Sequence, residues 1–265
     1  MTKLTCLIGT YNEAARLPAF LRHATKWADE VVVVDKGSTD ATKEIVEAAG
    51  AKFFTTAFTP QGHEDKVEQF SFCSNDWVFL MTPGEVPTRE LINQVRATLE
   101  EHGDRVDIIT IPKKLYSFGI HHPASPWSIG QQPFLVNRKR ANISNHVHRN
   151  FSLKAGGLAV NIPYSETCHV YHPTHATVKS FLRSHFDYIL AELDGATAPD
   201  VLFAEAQRQI VSFNFNNEPA LLGQSCAWKL YWLGCMLAAW EKKQARNVPH
   251  EYAERAQAII AADWA

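Results

Sequence analysis

The chain has 265 residues, 46% of them hydrophobic, which is enough for a sizeable core in one large domain or in a domain with a helical appendage. A formal net charge of −2 at pH 7 gives no global basic field, so the composition argues against a nucleic-acid-binding protein. The five cysteines are odd in number and scattered without a C-x-x-C pair, which indicates reduced thiols in a cytoplasm, and the chain enters its first predicted strand directly, so no signal peptide is predicted.

The first predicted element is a buried strand with the sequence Leu4-Thr-Cys-Leu-Ile-Gly9. It ends in the polar run Thr10-Tyr-Asn-Glu13, and apolar residues at helical spacing follow between Arg16 and Lys26. A strand that leads directly into a helix is the repeating unit of an α/β sheet.

The second unit contains the most informative stretch, Val31-Val-Val-Val-Asp-Lys-Gly-Ser-Thr-Asp40. A continuous β-branched run is typical of a strand that is buried on both faces of a parallel sheet. Ligands of open α/β sheets bind beyond the carboxyl ends of the strands, so Asp35 is expected at a ligand-binding edge. The alternative is an ordinary strand-turn-helix in which Asp40 or Thr39 only caps a helix that begins near Ala41. The start resembles a Rossmann fold, but without a G-x-G-x-x-G or a G-x-x-x-x-G-K-[ST] neither a dinucleotide fold nor a P-loop kinase is predicted.

The alternation of helices and strands is predicted to continue to residue 111. The pattern predicts helices over 41–49 and 88–101, and a further helix that follows the loop at 59–62 and ends at residue 72. It predicts strands over 52–55, 77–81 and 107–111. Residues 113–167 combine turn signals, aromatic residues and short apolar pieces, which predicts a small mixed β region that closes over the pocket and faces the acceptor. Helices are predicted over 178–193, 201–213, 226–243 and 251–260. We therefore predict one continuous globular unit with three parts: residues 1–112, 113–175 and 176–265.

Two of these patterns together resemble a known family. Thr10-Tyr-Asn-Glu13, followed by Ala28-Asp-Glu-Val-Val-Val-Val-Asp35 and Gly37-Ser-Thr-Asp40, is similar to family 2 glycosyltransferases of the glycosyltransferase-A fold, and most similar to their lipopolysaccharide-core glucosyltransferase-like branch. The resemblance implies a Rossmann-like α/β fold with a mixed, mainly parallel central sheet and a helical C-terminal region. It also implies a nucleotide-sugar pocket at the ends of the first two strands, which we call the first tip (residues 10–13) and the second tip (residues 35–40). The first tip would lie beside the nucleoside. Asp35 would lie beside base or ribose, where a carboxylate can accept paired hydrogen bonds. The implied binding residues at these tips are Thr10, Tyr11, Asn12, Glu13, Asp35, Ser38 and Asp40.

The resembled family carries an Asp-x-Asp-Glu after its fourth strand, and this motif is degenerate here. Matching residues 77–81 to that strand places Thr82 and Gly84 where the aspartates belong, and only Glu85 remains. In the family these carboxylates hold Mg²⁺ or Mn²⁺, which offsets charge on the leaving diphosphate. Three interpretations stay open: a transferase that works without a tightly held metal, a rebuilt metal site, and a protein that has lost catalysis and only binds.

Two lysines are candidates for neutralising a diphosphate without a metal. Lys66 falls where the family has an Arg or Lys on a helix that faces the phosphates. Lys36 directly follows Asp35, so it could pair with a phosphate or with Asp35 itself. For each lysine the alternative is a solvated surface charge.

Histidines concentrate in the middle of the chain, where seven of the twelve lie between His121 and His175. In the resembled branch a Val-His-Glu triplet and a later His face the active site. Val147-His148-Arg149 matches the triplet, with Arg in place of Glu, and His172 matches the later His. His172 and Glu85 are the predicted ligands of a rebuilt metal site. The histidines at 121, 122 and 175 are expected to be ordinary loop or strand residues.

An inverting transfer needs a group that takes the proton of the acceptor hydroxyl. With the triplet Glu replaced, His148 is the first candidate for this base and Glu85 the second. Arg149 would then face an anionic acceptor or the diphosphate.

Three tryptophans, Trp228, Trp232 and Trp240, share one predicted helix. Its apolar stretch is interrupted by Lys229 and is shorter than the roughly 20 apolar residues that span a bilayer. The favoured interpretation is a buried helix, because indole rings fill cores well. The alternative is an interfacial helix on the inner face of a membrane.

The sequence thus predicts a cytoplasmic glycosyltransferase that moves a hexose or pentose, with inversion, from a nucleoside diphosphate donor to a hydroxyl. Uridine or a related nucleoside is the expected base; a glycan, a lipid-linked sugar, a protein and a modified nucleobase stay open as acceptors. No organic cofactor is expected, and a divalent Mg²⁺ or Mn²⁺ stays an open alternative to weak or absent metal dependence. The second hypothesis is a non-catalytic sugar-nucleotide-binding protein, and the third is a metal-dependent hydrolase that uses the histidines.

Overall fold

The structure is a computed structural model that describes residues 2–59, 65–145, 150–174, 177–195, 197–212 and 219–244, together with residues 254, 257, 258 and 261. The strands are β1 (Leu4–Thr10), β2 (Glu30–Asp35), β3 (Lys52–Thr55), β4 (Trp77–Met81), β5 (Val86–Pro87), β6 (Ile108–Tyr116), β7 (Ile129–Asn137), β8 (Asn142–Ile143), β9 (Phe151–Ser152), β10 (Ala159–Asn161) and β11 (Val170–Pro173). The helices are α1 (Leu17–Ala24), α2 (Thr42–Ala48), α3 (Lys66–Ser71), α4 (Arg89–His102), α5 (Val178–Asp194), α6 (Pro199–Ser212) and α7 (Pro219–Gln244).

A nine-stranded sheet organises the fold, in the order β3-β2-β1-β4-β7-β6-β11-β5, with β10 beside β6. The first four strands in this order are parallel to one another. β7 runs antiparallel to β4 and β6, β5 runs antiparallel to β11, and β10 and β11 are parallel to β6. The sheet is therefore mixed and mainly parallel, as predicted, and the α/β fold is confirmed.

The valine run of β2 is buried because both faces of the sheet are covered. Val31 and Val33 pack into the cluster that contains the apolar residues of α1 and α4, whereas Val32 and Val34 pack into the opposite cluster, with Phe70 of α3. This two-sided burial explains why β2 reads as a continuous apolar run rather than an alternating one.

The middle of the chain differs from the predicted small β region. β6 extends to residue 116 instead of ending at 111, and it pairs with β7 inside the central sheet. The pattern hid this extension because Lys113 and Lys114 follow the apolar part of the strand. Lys113 is nevertheless buried, since its ammonium pairs with the carboxylate of Glu85.

The three C-terminal helices pack around a core of their own, which includes Phe181, Leu202 and Tyr231. α7 begins at residue 219 rather than at the predicted 226, and the helix predicted over 251–260 lies largely outside the described residues. None of the helices described is long and apolar enough to cross a membrane.

The tryptophans of α7 do not share one exposed face. The Trp228 ring lies 5.2 Å from the ring of Trp127 and 5.7 Å from that of Trp232, and its Nε1 donates to the carbonyl of Gln209 at 3.1 Å. Trp240 is exposed. The first two indoles thus pack against other aromatic rings, as the buried-helix interpretation expects, whereas Leu233, Leu237 and Trp240 of the same helix are exposed.

Candidate active site

The ends of β1 and β2 are tied to each other by hydrogen bonds. The backbone N–H of Asn12 donates to Ser38 Oγ at 2.7 Å, and that of Thr39 donates to Asn12 Oδ1 at 2.9 Å. The N–H of Ala14 donates to Asp40 Oδ2 at 3.0 Å. Asn12 has a φ of 55°, a conformation that asparagine tolerates better than most residues. The two predicted tips therefore form one polar rim at the ligand-binding edge of the sheet.

Asp35 organises this rim from within, because its carboxylate is only 2% exposed. It accepts from Thr10 Oγ1 at 2.9 Å, Gly37 N at 2.9 Å, Ser38 N at 2.7 Å and Ser38 Oγ at 2.5 Å. These bonds occupy the roughly four acceptor positions of a carboxylate. In this arrangement Asp35 positions the residues that surround it, and its contact with base or ribose stays a prediction.

Asp40 has a similar positioning role at the start of α2. It accepts from Thr42 N at 3.0 Å and from Thr42 Oγ1 at 2.6 Å, and the hydrogen bond from Thr42 lowers the pKa of Asp40. Thr42 Oγ1 in turn accepts from the N–H of Glu13 at 3.1 Å. Asp40 thus bonds to the start of α2, as the capping alternative expects, and it also bonds to the loop after β1 through the N–H of Ala14.

An exposed aromatic pair lies beside the rim. The rings of Tyr11, 47% exposed, and Phe58, 56% exposed, have centroids 4.8 Å apart with an interplanar angle of 57°. Sequence analysis missed Phe58. It follows β3, the next parallel strand, so its position at a third strand end is the signal that could have identified it.

A buried lysine pair lies under the rim. Lys36 Nζ is 2.5 Å from Asp65 Oδ2 and 2.8 Å from Thr59 Oγ1, so it pairs with Asp65 and neither with Asp35 nor with solvent. Lys66 Nζ donates to Gln69 Oε1 at 2.9 Å. Burial lowers the pKa of Lys66 to about 8. The charge of Lys36 acts in the same direction, whereas the negative charge of Asp65 acts in the opposite one. Two ammonium groups against one carboxylate leave a surplus positive charge, which favours an anion nearby.

The side chain of Gln69 connects this cluster to the sheet. Its Nε2 would lie 3.6 Å from a Cβ placed on Gly9, and it donates to Asp65 Oδ1 at 2.7 Å. Gly9 is the residue before Thr10 in β1. The lysine cluster is therefore packed directly against the strand that carries the first tip.

The turn after β4 holds a buried carboxylate. Glu85 is 1% exposed. Its Oε1 accepts hydrogen bonds from Lys113 Nζ and His172 Nδ1. Its Oε2 accepts from the backbone N–H of Thr82 at 2.8 Å. Burial alone would raise the pKa of Glu85, but the charge of Lys113 and the hydrogen bond from His172 lower it to about 2. A carboxylate with so low a pKa is a poor proton acceptor at neutral pH, so the predicted role of Glu85 as a base does not suit this geometry.

The described residues at this turn do not fit a divalent cation. Thr82 and Gly84 offer no carboxylate, and the ammonium of Lys113 on Glu85 would repel a second cation. Glu85 and His172, the predicted metal ligands, are brought together as expected, but by a hydrogen bond between them. Across the described part of the chain, no group of three or more His, Cys, Asp or Glu side chains has an arrangement that could hold a metal ion.

His148 and Arg149, the predicted base and the predicted anion-binding residue, lie outside the described residues. His175 does so as well. Their predicted roles are unchanged by the geometry above.

Arg16 is a second residue that sequence analysis missed. Its Nε donates to Glu13 Oε2 at 2.7 Å and its Nη2 donates to Glu13 Oε1. A Cβ built on Gly84 would lie 3.1 Å from Nη1 of Arg16. The guanidinium thus reaches from the end of β1 to the turn after β4, next to the position where the family has its second aspartate.

Comparison with known proteins gives one consistent result. Residues 5–158 match the family model for glycosyl transferase family 2. An uncharacterized glycosyltransferase of Rickettsia felis is 29% identical over 149 residues, which are 56% of this chain and 52% of that protein. The chain spans about half the length of the curated relatives it matches.

Solved structures give more distant likenesses. Staphylococcus aureus TarS 1–349 in complex with UDP has a TM-score of 0.49 and 14% identity, with 92% of each chain covered. Mycobacterium tuberculosis glucosyl-3-phosphoglycerate synthase in complex with Mn²⁺ and UDP-glucose has a TM-score of 0.38 and 14% identity, with 55% of this chain and 61% of that chain covered.

Proposed function

The chain belongs to glycosyl transferase family 2, and from this membership we propose that it transfers a hexose or pentose from a nucleoside diphosphate donor to an acceptor hydroxyl, with inversion. One observation carries the proposal: the tips of β1 and β2 are joined into a single polar rim, with Lys36 and Lys66 buried beneath it. A polar rim next to a surplus positive charge suits a ligand that combines a nucleoside with a diphosphate.

In this proposal the donor is bound in two parts. Tyr11, supported by Phe58, offers an exposed ring on which the base stacks. The ammonium of Lys66 attracts the diphosphate as a point charge, and Asp35 holds the backbone of the second tip in place. Uridine is the base we expect, and UDP-sugars are the donors to test first.

The transfer itself is a single displacement. The acceptor oxygen forms a bond to the anomeric carbon while the bond from that carbon to the diphosphate oxygen breaks. The hydroxyl proton passes to a base, for which we propose His148, and nucleoside diphosphate leaves. Nearby cations lower the barrier because negative charge grows on the diphosphate as the bond breaks. We propose a glycan or a lipid-linked sugar as the acceptor class.

A donor screen tests the proposal. Purified protein is titrated calorimetrically with UDP, GDP, CDP and ADP, with EDTA and with Mn²⁺, and hydrolysis or transfer of the corresponding sugar donors is followed by mass spectrometry. Saturable binding of one nucleoside diphosphate and turnover of its sugar conjugate are expected. Binding without turnover for every donor and acceptor would instead support the non-catalytic hypothesis, and absence of binding would contradict both.

Removing either ring of the aromatic pair should weaken the contact with the nucleoside part of the donor but not the contact with its diphosphate. We expect Tyr11→Ala to lower UDP affinity about tenfold and Phe58→Ala about fivefold, because base stacking on an aromatic ring contributes about 1–3 kcal/mol. Affinity for inorganic pyrophosphate should not change. Phe186→Ala, which removes an exposed aromatic ring on α5, is the matched control. Equal losses for UDP and pyrophosphate would show that the pair does not contact the base.

A further inference from the structure

The turn after β4 faces a cation that the chain itself provides. Arg16 lies in the loop that leads into α1, where both Nε and Nη2 donate to the carboxylate of Glu13. This paired contact fixes the plane of the guanidinium. Its Nη1 makes no hydrogen bond to any residue that the structure describes. The Arg16 side chain is 53% exposed, so this nitrogen, which lies beside Gly84, is open to solvent and accessible to a ligand.

The glycine at position 84 leaves room for this approach. A Cβ at that position would lie 3.1 Å from Arg16 Nη1 and 3.6 Å from the carbonyl oxygen of Pro173, so a side chain there would require the guanidinium to shift by a few tenths of an ångström. Pro173 ends β11, directly after His172, whose ring is only partly buried. Arg16, Gly84 and the end of β11 thus converge on one point at the ligand-binding edge of the sheet.

We propose that Arg16 supplies, at this point, the positive charge that stabilises the leaving diphosphate in place of a divalent cation. This inference rests on the proposed transferase function and names a binding residue for it. The glycine at position 84 then has two effects: relative to the family pattern it removes a carboxylate, and it leaves room for the guanidinium of Arg16.

Charge and geometry suit Arg16 to this role. A guanidinium is protonated at every relevant pH, and its planar donors match phosphate oxygens. Glu13 offsets part of the charge of Arg16. The surplus positive charge of Lys36 and Lys66 beside Asp65 adds to the attraction for an anion.

The first test measures UDP binding without metal. In EDTA, wild-type protein should bind UDP, and saturating Mn²⁺ should change that affinity by less than about threefold. Arg16→Met should lower UDP affinity about tenfold but UMP affinity less than about threefold, because UMP lacks the second phosphate. Arg22→Met, on the exposed side of α1, is the matched control and should bind UDP as the wild type does. Circular dichroism and thermal unfolding verify that each variant is folded.

The second test places a carboxylate beside the arginine. Gly84→Asp should bind UDP less tightly than the wild type in EDTA, since the new carboxylate pairs with Arg16.

The outcomes separate this inference from the function on which it rests. UDP binding by the wild type that requires Mn²⁺, or Arg16→Met binding UDP in EDTA as tightly as the wild type, would overturn the role of Arg16 while leaving the transferase proposal intact. Failure of the wild type to bind any nucleoside diphosphate, with or without metal, would instead contradict the proposed function itself.

Discussion

Replacing Glu85 with alanine is expected to lower the free energy of unfolding by about 3–5 kcal/mol, the range for breaking a buried ion pair from one side. The substitution leaves the ammonium of Lys113 buried without its carboxylate, and it removes the hydrogen-bond acceptor of His172. Chemical denaturation of the wild type and the variant at pH 7 measures the difference. The stabilisation should be complete above about pH 4.5 and should be lost as the pH falls towards 2, because the pKa of Glu85 is lowered to about 2 in the folded protein.

Two further variants make this prediction specific. Glu47→Ala removes the partner of Lys43 in a solvent-exposed pair at 3.8 Å, and it should cost less than about 1 kcal/mol. Glu85→Leu combined with Lys113→Met replaces the buried pair by apolar side chains and should recover most of the lost stability. If Glu85→Ala costs no more than Glu47→Ala, the buried pair does not stabilise the turn after β4.

Affinity for UDP is expected to fall about tenfold between pH 7 and pH 9. Only the protonated form of Lys66 attracts a diphosphate, and burial lowers the pKa of Lys66 to about 8, so its charged fraction falls by about that factor over this interval. Isothermal titration at constant ionic strength measures the profile. In Lys66→Arg the guanidinium stays charged, and the affinity should be nearly independent of pH over the same range.

Lys66→Met separates binding from stability. It should weaken UDP binding at pH 7, but it should also raise the free energy of unfolding, by up to about 3 kcal/mol, because it removes a buried charge whose pKa lies well below its ordinary 10.5. The sign follows from proton binding: between about pH 8 and 10.5 the unfolded chain holds more protons, so wild-type stability rises with pH in that window. An unchanged pH profile of UDP binding in Lys66→Arg and Lys66→Met would contradict a contact between Lys66 and the diphosphate.

The sequence allowed the first half of the fold and the joined tips to be predicted, because both depend on local pattern. Two patterns indicate where two parallel strands end: the β-branched run of β2 and the polar residues that follow β1. Neighbouring parallel strands have their carboxyl ends at the same edge of the sheet. β3 and β4 have the predicted bounds for the same reason. These elements need no knowledge of residues distant in the chain.

The features that were not predicted depend on contacts between distant residues. The sequence predicts Lys113 beyond the end of a strand. Its charge is neutralised by the carboxylate of Glu85, which is 28 residues away in the chain. Arg16 looks like a solvated residue at the start of a helix, and only the folded chain brings it beside Gly84. Three of the four hydrogen bonds that Asp35 accepts come from the turn that follows it, whose exact path no spacing reveals.

The tied tips of β1 and β2 have a consequence for the course of the reaction. The side chains of Asn12, Asp35, Ser38 and Asp40 hold the two loops together by hydrogen bonds. A binding surface that is already ordered loses little conformational entropy when its ligand binds. In the proposed transferase these two tied loops need not close over the donor, so we expect the step that limits turnover to be the release of product or the arrival of the acceptor.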